Sequence, residues 1–306
     1  MMHPEKVKPY LFRLTSTTKN ERFSEYDVLY YICGLMRRVS SYFLLVLMLA
    51  VGASCGKFRK IEKSQDWRVK YEAGLNYYNK KDYYRASVLF EQIIPIVRGL
   101  PEGEKVQFYL AYCQFYDKLY LLSSEQFKTF YETYGRSTMA EEARYMYAYS
   151  LYSSSPKDNL DQTNSIDAMS AMQEFLNRFP NSKFRDQSID VIVTTQKKLE
   201  RKGFENAYQY YKMRSYKAAI VALNNFKNNF PDSEFLEEAY YLVIVSEYRL
   251  AEQSILSKQE ERYKGVVEHY KEFVDKYPES SFLRETEKLY ADSLEKLNKT
   301  KNNNNL

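Results

Sequence analysis

The sequence predicts an all-α fold built from repeated helix pairs, and three observations support this. Glycine and proline are scarce, at 9 and 8 of 306 residues, which argues against a turn-rich β protein. A short aromatic motif recurs from Phe130 onward, and its copies are separated by 45, 51 and 47 residues. Before the first copy, aromatic residues such as Phe108, Tyr112 and Phe115 follow the spacing of an amphipathic helix.

The recurring motif, here called the end marker, is expected to end the second helix of each pair. It reads FLNRFPNSKF at Phe175–Phe184, FKNNFPDSEF at Phe226–Phe235 and FVDKYPESSF at Phe273–Phe282, with a fainter copy, FYETYGRSTM, from Phe130. Two aromatic residues four apart share one helix face, and proline cannot continue a helix. The serine that follows is a good capping residue for the next helix.

A second motif opens the same helix. KKDYYRASVLF at Lys80–Phe90 resembles MRSYKAAIVAL at Met213–Leu223, and Tyr263-Lys264-Gly265 falls in register with both. Small residues at this place allow the paired helices to approach closely. Repeats of this length, with Tyr, a small residue, an aromatic and Pro at fixed places, are tetratricopeptide-like. We therefore expect a tetratricopeptide-like superhelix of about five helix pairs plus a C-terminal closing helix.

The expected helices follow the markers in order. The first helices of the pairs are predicted at 67–79, 102–118, 138–153, 184–213 and 234–257. Their partners are predicted at 83–97, 119–134, 161–179, 215–230 and 259–277, and the closing helix at 281–298. The fourth first helix is unusually long, and Gly203 is expected to kink it. The tail 299–306 is expected to be disordered, because it is short, polar and asparagine-rich.

The segment Met36 to Cys55, MRRVSSYFLLVLMLAVGASC, reads as a lipoprotein signal. A basic start, an apolar stretch too short to span a bilayer and three small residues precede a cysteine that can carry lipid. We expect 1–35 to be an upstream extension from a misassigned start codon, 36–54 a signal peptide and 55–66 a linker lipidated at Cys55. The alternative is a membrane anchor from Val28 to Ala53, which would place two arginines inside the bilayer at about 2.5–3.5 kcal/mol each.

Catalytic chemistry has no candidate constellation in this sequence. His269 is the only histidine after Cys55, and we expect it to be a solvated surface residue. Neither a glycine-rich phosphate loop nor a cysteine pair with metal spacing occurs. The acidic pairs Glu141-Glu142 and Glu237-Glu238 are interpreted as solvated faces or first-turn acids. We therefore predict no enzyme activity, no cofactor and no metal, and a net charge of +5 gives no sign of nucleic-acid binding.

Tyrosine is the unusual residue of this chain, at 31 of 306. In such superhelices the first helices line a concave face, which typically holds a peptide or a segment of another protein. The half-exposed tyrosines of the first helices are therefore candidates for a peptide groove: Tyr71, Tyr77, Tyr78, Tyr109, Tyr112, Tyr116, Tyr145 and Tyr149.

Cys55 followed at once by five helix pairs resembles the BamD family of outer-membrane lipoproteins, over Gly56–Leu297. Four stretches carry the resemblance: YEAGLNYYNKKDYYRASVLFEQIIPIVRG at Tyr71–Gly99, LDQTNSIDAMSAMQEFLNRFPNS at Leu160–Ser182, AYQYY at Ala207–Tyr211 and LAEQSILSKQEERYKGVVEHYKEFVDKYPES at Leu250–Ser280. They are most similar to a Bacteroidetes-like branch. The departures are Gly52 in the lipidation motif and Gly135 where the other end markers have proline.

The resemblance implies a non-enzymatic role on the periplasmic face of the outer membrane. Residues 67–182, pairs one to three, would receive unfolded outer-membrane β-barrel proteins. Residues 183–298 would bind the periplasmic domains of a BamA-type Omp85 barrel, with Glu247, Arg249 and Arg284 as candidate contacts. The alternatives are another periplasmic tetratricopeptide lipoprotein that scaffolds cell-envelope or cell-wall complexes, and a cell-wall hydrolase.

Overall fold

The computed structural model describes Met36 and residues 56–303. The chain divides into two compact units, Met1–Ser64 and Gln65–Leu306. In the first unit, residues 56–62 are helical. The predicted upstream extension, the signal peptide after Met36 and the lipidated Cys55 lie outside the described residues.

The second unit is a succession of helices, and its described residues contain no strand. In chain order the helices are α1 (Trp67–Asn79), α2 (Tyr83–Val97), α3 (Pro101–Tyr116), α4 (Tyr120–Thr133), α5 (Ala140–Ser154), α6 (Thr163–Arg178), α7 (Arg185–Lys212), α8 (Tyr216–Asn229), α9 (Leu236–Glu252), α10 (Leu256–Lys276) and α11 (Leu283–Asn303). These are five pairs and a closing helix, so the predicted all-α, tetratricopeptide-like fold class is confirmed.

Contacts between helices arrange the pairs in two layers. Each helix packs against the next one in the chain. The first helices of successive pairs also touch, in the combinations α1 with α3, α5 with α7, α7 with α9, and α9 with α11. The first helices therefore form the inner layer of the superhelix and the second helices its outer layer.

Each end marker contributes one fully or nearly fully buried phenylalanine. Phe130, Phe175, Phe226 and Phe273 are each at most 3% exposed. Each packs against the second aromatic of its own marker, four residues later, with ring centroids 5.3–5.6 Å apart. The backbone N–H of that second aromatic donates to the phenylalanine carbonyl, which closes the last helical turn before the chain reverses.

The last aromatic of the marker ties the turn to the inner layer. Phe184 stacks on Tyr145 of α5 with ring centroids 4.2 Å apart. Phe282 stacks in the same way on Tyr241 of α9 at 4.3 Å. These two markers therefore hold the end of a pair against the first helix of that same pair.

The marker serines make a further link that the sequence interpretation did not include. The Oγ atoms of Ser182 and Ser280 each accept the backbone N–H two residues later, at 3.1 Å. They also donate to carboxylates in the first turns of α5 and α9, Glu141 and Glu237, at 2.5 Å. These two glutamates were interpreted as solvated or dipole-stabilising, whereas each in fact accepts a hydrogen bond from a serine of the end marker.

The fourth pair lacks this link because its first helix is longer. Ser233 caps Phe235 at 3.3 Å, but among the described residues its hydroxyl has no carboxylate partner. Helix α7 has 28 residues against 17 in α9, so its first turn lies far from the marker that follows α8. It also runs unbroken through Gly203, where a Cβ would meet Phe230 Cε2 at 2.9 Å. Gly203 therefore allows close approach of α8.

The C-terminal helix extends beyond its predicted end. Helix α11 continues to Asn303, so residues 299–303 are helical although the sequence predicted a disordered tail from 299. An ion pair between Lys299 Nζ and Glu295 Oε1, at 2.5 Å and one turn apart, supports the added turn.

We expect Ser182→Ala and Ser280→Ala to lower the free energy of unfolding by about 1–2 kcal/mol each, because each leaves a carboxylate without its donor. Ser233→Ala is the matched control, because it removes the same cap where there is no bond to a carboxylate. Its loss of unfolding free energy should be smaller than that of the other two variants by at least about 0.5 kcal/mol. Urea unfolding of the three variants measures the difference. Equal losses in all three would show that the serine–glutamate bond adds nothing to stability.

Candidate functional site

A cavity of about 690 Å³ opens on the inner layer, between α3, α5 and α7. Its walls are mostly aromatic, with two carboxylates from the start of α7. The lining residues are Tyr112, Phe115, Tyr116, Tyr145, Met146, Tyr149, Tyr152, Asp186, Gln187, Asp190 and Val191. We call this cavity the aromatic groove.

Ring-to-ring contacts join the groove to the first helix pair. Tyr116 stacks on Tyr112 at 5.8 Å and on Tyr83 of α2 at 4.5 Å. Tyr149 lies 5.5 Å from Tyr145 with nearly parallel rings. Stacked and edge-on rings hold one another in place, so the groove presents a preformed aromatic wall.

Two phenol hydroxyls of the groove are bonded within the protein. Tyr112 donates to Glu142 Oε1 at 2.6 Å, and Tyr145 donates to Gln187 Oε1 at 3.2 Å. Burial raises the pKa of Tyr145 to about 12, and burial with the Glu142 bond also raises the pKa of Tyr112. These phenols stay neutral at ordinary pH, so they offer ring surfaces and hydrogen bonds but no proton transfer.

The structure brings together half of the predicted groove residues. Tyr112, Tyr116, Tyr145 and Tyr149 all line the cavity. The other four, Tyr71, Tyr77, Tyr78 and Tyr109, are half-buried against the core of the first pair.

These four tyrosines differ in the direction they face. Tyr78 and Tyr109 meet at 4.7 Å between α1 and α3, on the side of the inner layer. The guanidinium of Arg85 lies 5.8 Å from the ring centroid of Tyr77, which places this ring beside α2. Their part in binding stays a prediction.

Sequence reasoning missed several lining residues. Tyr152 continues the stripe of Tyr145 and Tyr149 at the spacing of one helix face, so this residue could have been found. Asp186 and Asp190 could not, because acidic residues near the start of a helix are common and only packing shows that these two face a cavity.

The three predicted partner contacts lie at separate places in the C-terminal pairs. Glu247 is half-buried beside Gly265 of α10, and Arg249, two residues on, bonds to Glu252 at 2.9 Å on another face of α9. Arg284 is exposed in the first turn of α11. Their role in binding also stays a prediction.

The interpretation of His269 as a solvated residue is wrong. It is half-buried between α8 and α10, and its Nδ1 lies 2.9 Å from the Gly265 carbonyl oxygen. Burial and the nearby ammonium of Lys227 lower its pKa. The helical pattern placed His269 on the polar side of α10, but that side is partly buried and has Lys227 of α8 close by.

A superhelix of paired helices with an aromatic groove on its inner layer defines a tetratricopeptide-like scaffold protein. The family described as outer membrane lipoprotein, YfiO, matches residues 64–205 and 195–301. The chain therefore belongs to the YfiO family of outer membrane lipoproteins, and the predicted resemblance to BamD is confirmed, while the Bacteroidetes-like branch stays a prediction. No curated protein matches the chain. Within the described part of the chain, no helix has the length and apolar character needed to cross a bilayer.

Glu247 makes stability depend on pH. Burial raises its pKa from the ordinary 4.5 to about 7, with Arg262 opposing the shift. The folded state therefore holds a proton that the unfolded state releases, so stability falls as pH rises from about 4.5 to 7 and stays lower above.

We expect Glu247→Gln to remove this fall. Between pH 4.5 and pH 8 the variant should gain about 1–2 kcal/mol of unfolding free energy relative to the unsubstituted protein, after allowance for solvent screening. Thermal unfolding at a series of pH values measures it, with exposed Glu279→Gln as control. A parallel pH dependence in Glu247→Gln and the unsubstituted protein would contradict the prediction.

Proposed function

We propose that this protein is an outer-membrane lipoprotein scaffold of the β-barrel assembly machinery, anchored by lipid on Cys55 at the periplasmic face. Its N-terminal pairs bind unfolded outer-membrane β-barrel proteins. Its C-terminal pairs and closing helix bind the periplasmic domains of a BamA-type Omp85 barrel. The observation that carries the proposal is the aromatic groove on the inner layer of a chain that belongs to an outer membrane lipoprotein family.

The groove has the size and surface to hold an extended apolar segment. Its volume of about 690 Å³ lies in the range of ligand pockets. Tyr116 is 46% exposed, so one ring edge and part of a face are open to a ligand. Rings bind aromatic and aliphatic side chains without demanding one sequence, which suits a receptor for many clients.

A second surface, on the C-terminal pairs, supports the docking of a protein partner. Leu256 and Ile255, at the start of α10, are 82% and 73% exposed. Nearby, a mostly apolar cavity of about 750 Å³ is bounded by Val221 of α8 and by Leu250 and Gln253 of α9. Exposed apolar residues around a cavity are typical of protein interaction sites.

A non-enzymatic role fits the chemistry of the groove. Burial raises the pKa of its Tyr112 and Tyr145 phenols, and its two carboxylates, Asp186 and Asp190, lie on the exposed side of α7. Binding without turnover needs no cofactor or metal, and we propose none.

We expect Tyr116→Ser and Tyr149→Ser each to weaken binding of a labelled C-terminal strand peptide from an outer-membrane barrel by about 5- to 30-fold, since each removes an aromatic contact. Tyr84→Ser is the matched control, because Tyr84 is 68% exposed on α2 of the outer layer. Fluorescence anisotropy measures the affinities. Equal affinity in all three variants would place peptide binding elsewhere.

Affinity purification of the tagged chain from detergent-solubilised envelopes tests the partner. We expect an Omp85-type barrel at near-stoichiometric yield, and its loss with Leu256→Asp, because a charge on the apolar surface is costly to bury. Leu121→Asp, on α4, should retain the barrel, since Leu121 is 53% exposed outside this surface. Recovery of cell-wall synthases or division proteins instead would favour the alternative envelope scaffold.

A further inference from the structure

Helix α7 carries two cavities of opposite charge. The aromatic groove lies against its first turns, where it includes Asp186 and Asp190. A second cavity of about 730 Å³ lies against its later turns and includes Arg201, Lys202 and Lys212. We call it the basic cavity.

The basic cavity is built on an aromatic floor. Phe204 and Phe235 lie there with stacked rings 4.8 Å apart, and Tyr208 stands beside them. The ammonium of Lys212 lies 4.5 Å from the Tyr208 ring centroid. The three cations of the cavity outnumber its single carboxylate, Glu205, so the cavity favours an anionic group.

Both cavities open on the same face of α7. Five charged residues of the two cavities recur at helical spacing, in steps of three or four residues or combinations of them, and therefore share one face of the helix. They are Asp186, Asp190, Arg201, Glu205 and Lys212. Val193, which is 46% exposed, and the exposed Lys197 fall between them at the same spacing.

The charges at the two ends are available to a ligand. Among the described residues, Asp190 and Arg201 have no ion-pair partner, and Asp186 pairs only with its own neighbour Arg185, at 3.2 Å. Lys202 donates to the carbonyl oxygen of Leu160. Asp190 and Arg201 are eleven residues apart, about 16 Å along the helix, which an extended chain spans in about five residues.

We propose that this face of α7 sets the charge register of the bound segment: an extended polypeptide whose cationic side chain meets Asp186 and Asp190 while a carboxylate about five residues away meets Arg201. Apolar or aromatic residues of the segment lie on the rings of the two cavities. This proposal rests on the proposed function, because it specifies the class of polypeptide that the groove selects. It extends the client surface from the N-terminal pairs onto α7, the first helix of the fourth pair.

The test uses the full-length chain in detergent and a labelled twelve-residue peptide. The peptide has alternating aromatic residues and a lysine and a glutamate five positions apart. Replacing either charged residue by glutamine should weaken binding about 3- to 10-fold at low salt. Asp186→Asn/Asp190→Asn should abolish only the lysine effect, and Arg201→Gln only the glutamate effect. Asp275→Asn, on the outer layer, should change neither.

Spacing and salt provide the remaining arms. A peptide with the two charges only two positions apart should bind as weakly as a singly substituted one. High salt should remove the differences between peptides. A further peptide carries its carboxylate as a free C-terminus at the same distance from the lysine, in place of the glutamate side chain. Comparing it with its amidated form shows whether a C-terminal carboxylate can bind in place of the side chain.

Two results would overturn the proposal. If peptides bind tightly but without regard to charge or spacing, the charge register fails while the proposed function stands. If no peptide binds the protein at all, both fail together.

Discussion

One buried phenylalanine per repeat is the contact on which the rest of this structure depends. A single helix pair cannot bury its own apolar face, so each pair must be fixed against the next. Phe130, Phe175, Phe226 and Phe273 supply that fixed point, at most 3% exposed. The turn that follows each of them is then defined by a paired aromatic, a serine cap and, in three of the four copies, a ring stacked on the first helix.

This arrangement separates the side chains of the core from those that line the aromatic groove. The phenylalanines of the end markers lie between the layers, whereas tyrosines dominate the wall of the aromatic groove. A tyrosine can fill a groove and still keep its hydroxyl bonded, as Tyr112 does with Glu142. The inner layer therefore tolerates partial exposure of large rings, which a core residue would not.

Much of the fold followed from periodicity and turn chemistry alone. The bounds of α1 and α2 agree with prediction, and the unusual length of α7 was anticipated from the lack of proline between Phe184 and Ser215. Half of the predicted groove tyrosines line the cavity. Helical spacing shows which residues share a helix face, but it does not show which face another helix covers. His269 shows this most clearly, since it is half-buried on the side that its pattern marked as polar. The bond between Ser182 and Glu141 joins residues 41 apart, so local sequence carried no sign of it.

The length of α7 also has a mechanical consequence. A helix is a stiff rod on the scale of its 28 residues, so its two ends cannot tilt independently. The first turns of this rod belong to the packing of the third pair, and its last turns pack with the fourth and fifth. Any change in curvature of the inner layer must rotate this helix as one rigid body, so that its two ends move in opposite directions. A displacement of one end therefore displaces the other directly, without a chain of intermediate contacts.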